Sequence, residues 1–257
     1  MDFDEIASEA KELLESTLES AYQSLSEKDG VSIRENFAYR LARHINELSG
    51  DFILLEAEGG FHGSPVVLRS ILESVFSLGA ILSDRSFAAL QCISEINDLL
   101  KKIASSSDPD LITELRNLRE ELCADHSLQS NPTALKVWEI AKLAKMEGVY
   151  EKHYYWLSKA IHPTLVGTIE GESGGTSGIR TGTFSFALAT ATGFLVQIIR
   201  TDEPQTRIDK AANILRLVSG KHEDGSVGLM NESEAMFKDE LNAFLHSEIK
   251  PTTRDQQ

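Results

Sequence analysis

Tyr150 to Pro163, YEKHYYWLSKAIHP, packs three tyrosines, the second of the chain's two tryptophans, two histidines, a serine and a proline into fourteen residues. At about 100° per residue, Tyr150, Tyr154, Leu157 and Ile161 line one apolar stripe of a helix, and Glu151, Tyr155, Ser158 and His162 run along its edge. The helix is expected to stop at His162, because a residue followed by proline is pushed out of the α region. A polar row beside a core stripe is a place for a site; it is also an ordinary helix boundary. His162 at the helix end, with Tyr155 and Ser158 in the preceding turn, has the parts for proton transfer or for gripping an anion. Equally, a terminal histidine bonds the last free carbonyls of its helix.

Outward from this stretch the same helical period recurs. On the amino-terminal side, Asn131-Pro132 is expected to open a helix through ALKVWEIAKLAKME that Gly148 closes. Asp108-Pro109 starts another, with Leu111, Leu115, Leu118 and Leu122 on one face, and a further helix is expected from Asp84 to Ala104. The most apolar helix of the front half, PVVLRSILESVFSLGAIL, is predicted to use Ser64 as cap and Pro65 as first residue. Ser32 with Glu35 reads as a capping box for a helix through Leu55. The first helix spans Asp4 to Ser26, ended by Asp29-Gly30.

On the carboxyl-terminal side, the glycine- and hydroxyl-rich segment Gly167 to Thr183 reads as a loop, either a lid or a plain connector. A buried core helix from Phe184 to Arg200 follows; its apolar run is shorter than the ~20 residues of a bilayer span. Further helices are expected from Glu203-Pro204 and from Asn231, before a frayed tail. No stretch alternates with a period of two. The fold class is therefore all-α, a multi-helix bundle of up to about nine helices with no sheet. The expected division is a first helix (1–30), a core helical region (31–201), and a helical hairpin with its tail (202–257).

Composition narrows the functions. Forty acidic against twenty-five basic residues give a net charge of −15, which repels phosphate backbones and argues against general coating of nucleic acid. Two cysteines, Cys92 and Cys123, without CxxC spacing fit a reducing cytosol and no structural zinc. The acidic amphipathic amino terminus fits neither a signal peptide nor a transit peptide. Neither a metal ion nor a cofactor is expected, since HExxH, Glu-x-x-His and EF-hand patterns are missing from the sequence.

Arg69 and Glu73, one turn apart, form the second polar candidate. Their arc on the helix also holds Ser70, Ser74 and Ser77, as a solvated face would, and Val66, Ala80 and Ile81, as a packed one would. A surface ion pair, a buried structural pair and a functional site all remain open. Gly171-Glu172-Ser173-Gly174-Gly175 matches G-x-S-x-G, but the nucleophile elbow needs a strand before it, and none is predicted. Arginine followed by histidine at the spacing of helical HEPN ribonucleases occurs at Arg119/His126 and Arg216/His222. About one such match is expected by chance in this composition.

The pairing of LRSILES at Leu68 to Ser74 with YYWLSKAIHP at Tyr154 to Pro163 resembles a family of uncharacterised, mostly bacterial helical proteins, domain of unknown function 5677. Its pattern is an R-S/T-x-x-E helix followed about ninety residues later by a Y-x-x-x-S-x-x-x-H-P segment, and the resemblance runs from Phe37 to Arg200. It implies an all-α fold in which Arg69, Glu73, Tyr155, Ser158 and His162 converge, and it supplies no reaction. The expectation is a cytoplasmic, non-membrane module for an unidentified small ligand or protein partner, with self-association as a further option. By analogy alone, its setting would be a prokaryotic stress or phage-defence system. The alternatives are a metal-independent HEPN-like ribonuclease with His162 as acid or base and Arg69 steadying phosphorane charge, and a scaffold whose polar cluster only fixes helix register.

Overall fold

The computed structural model describes residues 3–59, 63–103, 109–130, 132–155, 157–158 and 175–219. These residues form an all-α bundle, without a strand among them. The helices are α1 (Phe3–Ser26), α2 (Ile33–Ala57), α3 (Gly63–Ser83), α4 (Phe87–Ile103), α5 (Pro109–Asp125), α6 (Val137–Leu143) and α7 (Glu147–Val149). A π-helical turn at Tyr150–Tyr154 follows, then α8 (Gly175–Ile198) and α9 (Pro204–Ser219).

Helix α8 is the hub: α1, α2, α3 and α9 all pack on it. Its sequence explains why it can be surrounded. Alanine, threonine and glycine alternate with Phe184, Phe186, Leu188 and Phe194, so no polar face is left to point outward. The hydroxyls of Ser185 and Thr192 donate back to the carbonyls of Thr181 (2.9 Å) and Leu188 (3.0 Å), which satisfies them inside the core. By length and composition α3 and the segment Arg180–Ile198 are each apolar enough to cross a membrane, yet 94% of the α8 window and 56% of the α3 window are buried within the protein. The main core joins α1, α2, α3, α6, α8 and α9, with Phe87 and Ala88 of α4 and Val149 of α7 at its margin, while Ala89, Ile93, Ile96 and Leu122 make a smaller cluster between α4 and α5.

Two close approaches fix the hub. Phe52 of α2 stacks on Phe184 with centroids 4.4 Å apart. At Gly79 of α3 a Cβ would stand 2.8 Å from the Ala144 Cβ and 3.0 Å from the Phe194 ring, so only glycine lets α3 come this near.

Several local expectations hold and several are corrected. The Ser32–Glu35 capping box is present, and α1, α5 and α9 lie where periodicity puts them. Helix α3 starts at Gly63, so Ser64 sits inside its first turn, buried, with no hydrogen-bond partner for its hydroxyl among the described residues. Helix α4 starts at Phe87, because the Asp84 carboxylate accepts from the Ser86 N–H and holds an Asx turn in front of it. The helix expected from Pro132 begins only at Val137, where the Glu139 carboxylate accepts from the Lys136 N–H at 2.7 Å.

That helix is also closed earlier than Gly148. Lys145 adopts φ 58°, Met146 N–H reaches the Ala141 carbonyl (2.8 Å) and Lys145 N–H that of Lys142 (3.0 Å), a Schellman closure around a non-glycine residue. Gly148 instead lies inside α7. The predicted loop Gly167–Thr183 is helical from Gly175 onward, because burial against the surrounding helices outweighs the low helix propensity of its glycines and threonines. His162, residues 171–174 of the G-x-S-x-G pattern, His222 and the helix expected at Asn231 lie outside the described residues.

Candidate functional site

Helix α3 turns Leu68, Ile71, Leu72, Val75 and Phe76 into the core and leaves Arg69 and Glu73 half-exposed on the opposite side, with 33% and 39% of their side chains accessible. The arc is narrower than expected, since Ala80 and Ile81 are fully buried by the close packing near Gly79. The hydroxyls of Ser70, Ser74 and Ser77 donate to the carbonyls of Val66, Ser70 and Glu73 on their own helix. Arg69 and Glu73 are thus the groups of this face that reach away from it.

What they meet is Tyr154. The Arg69 Nε–H is shared between Glu73 Oε1 (3.2 Å) and the Tyr154 hydroxyl oxygen (3.0 Å), and the Tyr154 O–H donates to the same Glu73 Oε1 at 2.6 Å. The three groups close a triangle, and the Arg69 guanidinium carbon lies 5.0 Å from the Tyr154 ring centroid, within cation–π range. Both Nη groups of Arg69 are without a hydrogen bond among the described residues.

The π turn delivers that tyrosine. Tyr155 N–H bonds the Tyr150 carbonyl, a five-residue closure that takes up one residue more than an α turn. The wider turn stacks the Tyr150 and Tyr154 rings, centroids 5.0 Å apart at 21°, and sets Phe76 edge-on to Tyr154 at 6.0 Å. Tyr154 therefore buries its ring, with only 4% of the residue exposed, while its hydroxyl crosses to α3. His153 on the same turn contacts the Thr183 hydroxyl through Nδ1 (3.0 Å), which ties the turn to α8.

Burial, then the hydrogen bond and charge of Glu73, push the Tyr154 hydroxyl up to about 12, so it stays protonated through the physiological range. Burial pulls the Arg69 guanidinium down, but the Tyr154 and Glu73 contacts outweigh it and its pKa ends above the ordinary value. The cluster thus holds a fixed cation, a carboxylate and a neutral phenol donor.

Of the residues expected to converge, Arg69 and Glu73 are together. Tyr155 is 53% exposed, and its neighbour Tyr154 takes the place expected of it. The Ser158 hydroxyl donates to the Tyr154 carbonyl at 2.9 Å, on its own helix, and His162 lies outside the described residues. The missed residue, Tyr154, carried two signals: it is the tyrosine of the Y-x-x-x-S-x-x-x-H-P pattern, four residues before Ser158, and a tyrosine on a core stripe needs a partner for its hydroxyl.

A second pair was not singled out from the sequence. Arg180 at the start of α8, only 5% exposed, grips Glu56 at the end of α2 through two bonds of 2.6 and 3.1 Å. Arg119 Nη1 bonds Asn97 (3.3 Å), a contact between α4 and α5. Among the described residues no group of three His, Cys, Asp or Glu is placed to hold a metal ion.

Fold and cluster together define an all-α bundle with a half-exposed arginine–carboxylate–tyrosine site on one helix and one π turn. The chain belongs to the family of unknown function DUF5677, whose model matches residues 35–173 and so covers α2 to the π turn, but not the α8 segment that the resemblance had included. No curated protein and no solved structure matches the chain.

Proposed function

We propose that this protein is a binding module whose Arg69–Glu73–Tyr154 cluster takes a small ligand carrying a carboxylate or phosphate group. The observation that carries the reading is the division of labour at Arg69. Its Nε edge is spent on Glu73 and Tyr154, while its Nη edge has no partner among the described residues. A guanidinium pinned on one edge offers the other to an oxyanion with little rotamer entropy left to lose. Glu73 and the net charge of −15 oppose polyanions and leave small, singly anchored ligands as the better match.

Calorimetry with inorganic phosphate and with acetate, on wild type and Arg69→Ala, tests this. Saturable binding that disappears in Arg69→Ala, with the melting temperature nearly unchanged, is the expected outcome. A large fall in stability with no binding by the wild type would assign the cluster a purely structural role. The ribonuclease alternative rests on His162 as acid or base, which lies outside the described residues; Tyr154, held protonated to about 12, does not take that part. RNA cleavage that persists in EDTA and vanishes in His162→Ala would restore that alternative.

A further inference from the structure

We propose a second ligand site, for a small organic ammonium ion, in the cleft between α1 and α2. The cleft has a volume of about 610 Å³. Tyr22 and Tyr39 line it as an aromatic corner, centroids 6.2 Å apart and tilted by 36°, and Tyr22 is 60% exposed. Glu15 and Glu19, one helical turn apart on α1, and Arg43 on α2 form its charged rim.

The ion pairs at this rim leave one charge over. Lys11 pairs with Glu15, and Glu47 holds Arg43 at 2.9 Å. Glu19, exposed, has neither an ion pair nor a hydrogen bond among the described residues. A single unmatched carboxylate beside two tyrosine faces is the environment in which an ammonium ion gains from both Coulomb attraction and the ring quadrupoles.

Other ligand classes fit less well. An anion would face Glu19 and the chain's net charge of −15. A neutral aromatic would leave Glu19 unanswered. A bare metal ion would find one unpaired carboxylate where several hard ligands are needed. The cleft shares no residue with the Arg69 cluster, so the two sites succeed or fail independently.

The test is calorimetry of the full chain with n-butylammonium chloride, against sodium chloride at equal ionic strength. Saturable binding is expected, weakened about three- to fivefold by Tyr22→Leu and by Glu19→Gln separately, and further in the double variant. Both side chains are exposed, so these variants retain the fold, which their helical circular dichroism confirms. Heat indistinguishable from that of sodium chloride, or variants that bind as the wild type does, overturns the site.

Discussion

Tyr154 is where the molecule's packing and its polar chemistry meet in one side chain. Replacing it with phenylalanine keeps the ring stack and removes one hydroxyl, leaving Glu73 Oε1 to Arg69 alone. A loss of about 1–2 kcal/mol is expected in urea unfolding, as for a hydrogen bond to a charged group. The same variant tests the acid–base reading. Because the folded pKa is raised from 10.0 to about 12, the contribution of this tyrosine is complete below the unfolded value. It is lost as pH climbs from there through the folded value. Wild type should therefore lose stability across that alkaline window more steeply than Tyr154→Phe, and its tyrosinate absorbance should show a late component that the variant lacks. Gly79→Ala belongs to the same scale. A methyl 2.8 Å from Ala144 forces α3 away from its neighbours, and a cost of about 1–3 kcal/mol is expected in the same unfolding assay. Legibility differed sharply between residues. Arg69 and Glu73 could be paired from their spacing, whereas the hydroxyl contact between Tyr154 and Glu73 joins residues 81 positions apart, which no local period reports.

At the scale of the element, helix starts were legible where a local cap or a first-turn proline marks them. Ser32, Pro109 and Pro204 mark their starts by chemistry that acts locally, and the helices begin there. The end of α6 uses Lys145 at positive φ, which leaves no glycine to notice, whereas the expected end was Gly148. Helix α8 shows the opposite failure. Its glycines and threonines argue for a loop locally, and only the helices around it make the segment from Gly175 helical. The clamp between the α2 and α8 ends, Glu56 with Arg180, was illegible because its partners lie 124 residues apart. Arg180→Met should cost about 3 kcal/mol in denaturant unfolding, since it takes two charge-assisted bonds from a mostly buried carboxylate. Adding Glu56→Leu should recover much of that loss. A double variant no more stable than the single one would show that the two residues are not held mainly by each other.

For the molecule as a whole, all-α architecture followed from period and caps, and the sharing of one core by α1, α2, α3, α6, α8 and α9 emerged only in three dimensions. The family match ends at residue 173, just before the helix on which α2 and α3 pack. A fragment of residues 35–173 should therefore lack a cooperative thermal transition by circular dichroism, although the full chain melts as a unit. The same arrangement bears on how the protein is made. During synthesis, α1 to α3 leave the ribosome with their apolar faces uncovered, and the helix that covers them emerges more than ninety residues after α3 is complete. The nascent chain waits with those faces open over that interval, so depletion of chaperones is expected to lower its soluble yield.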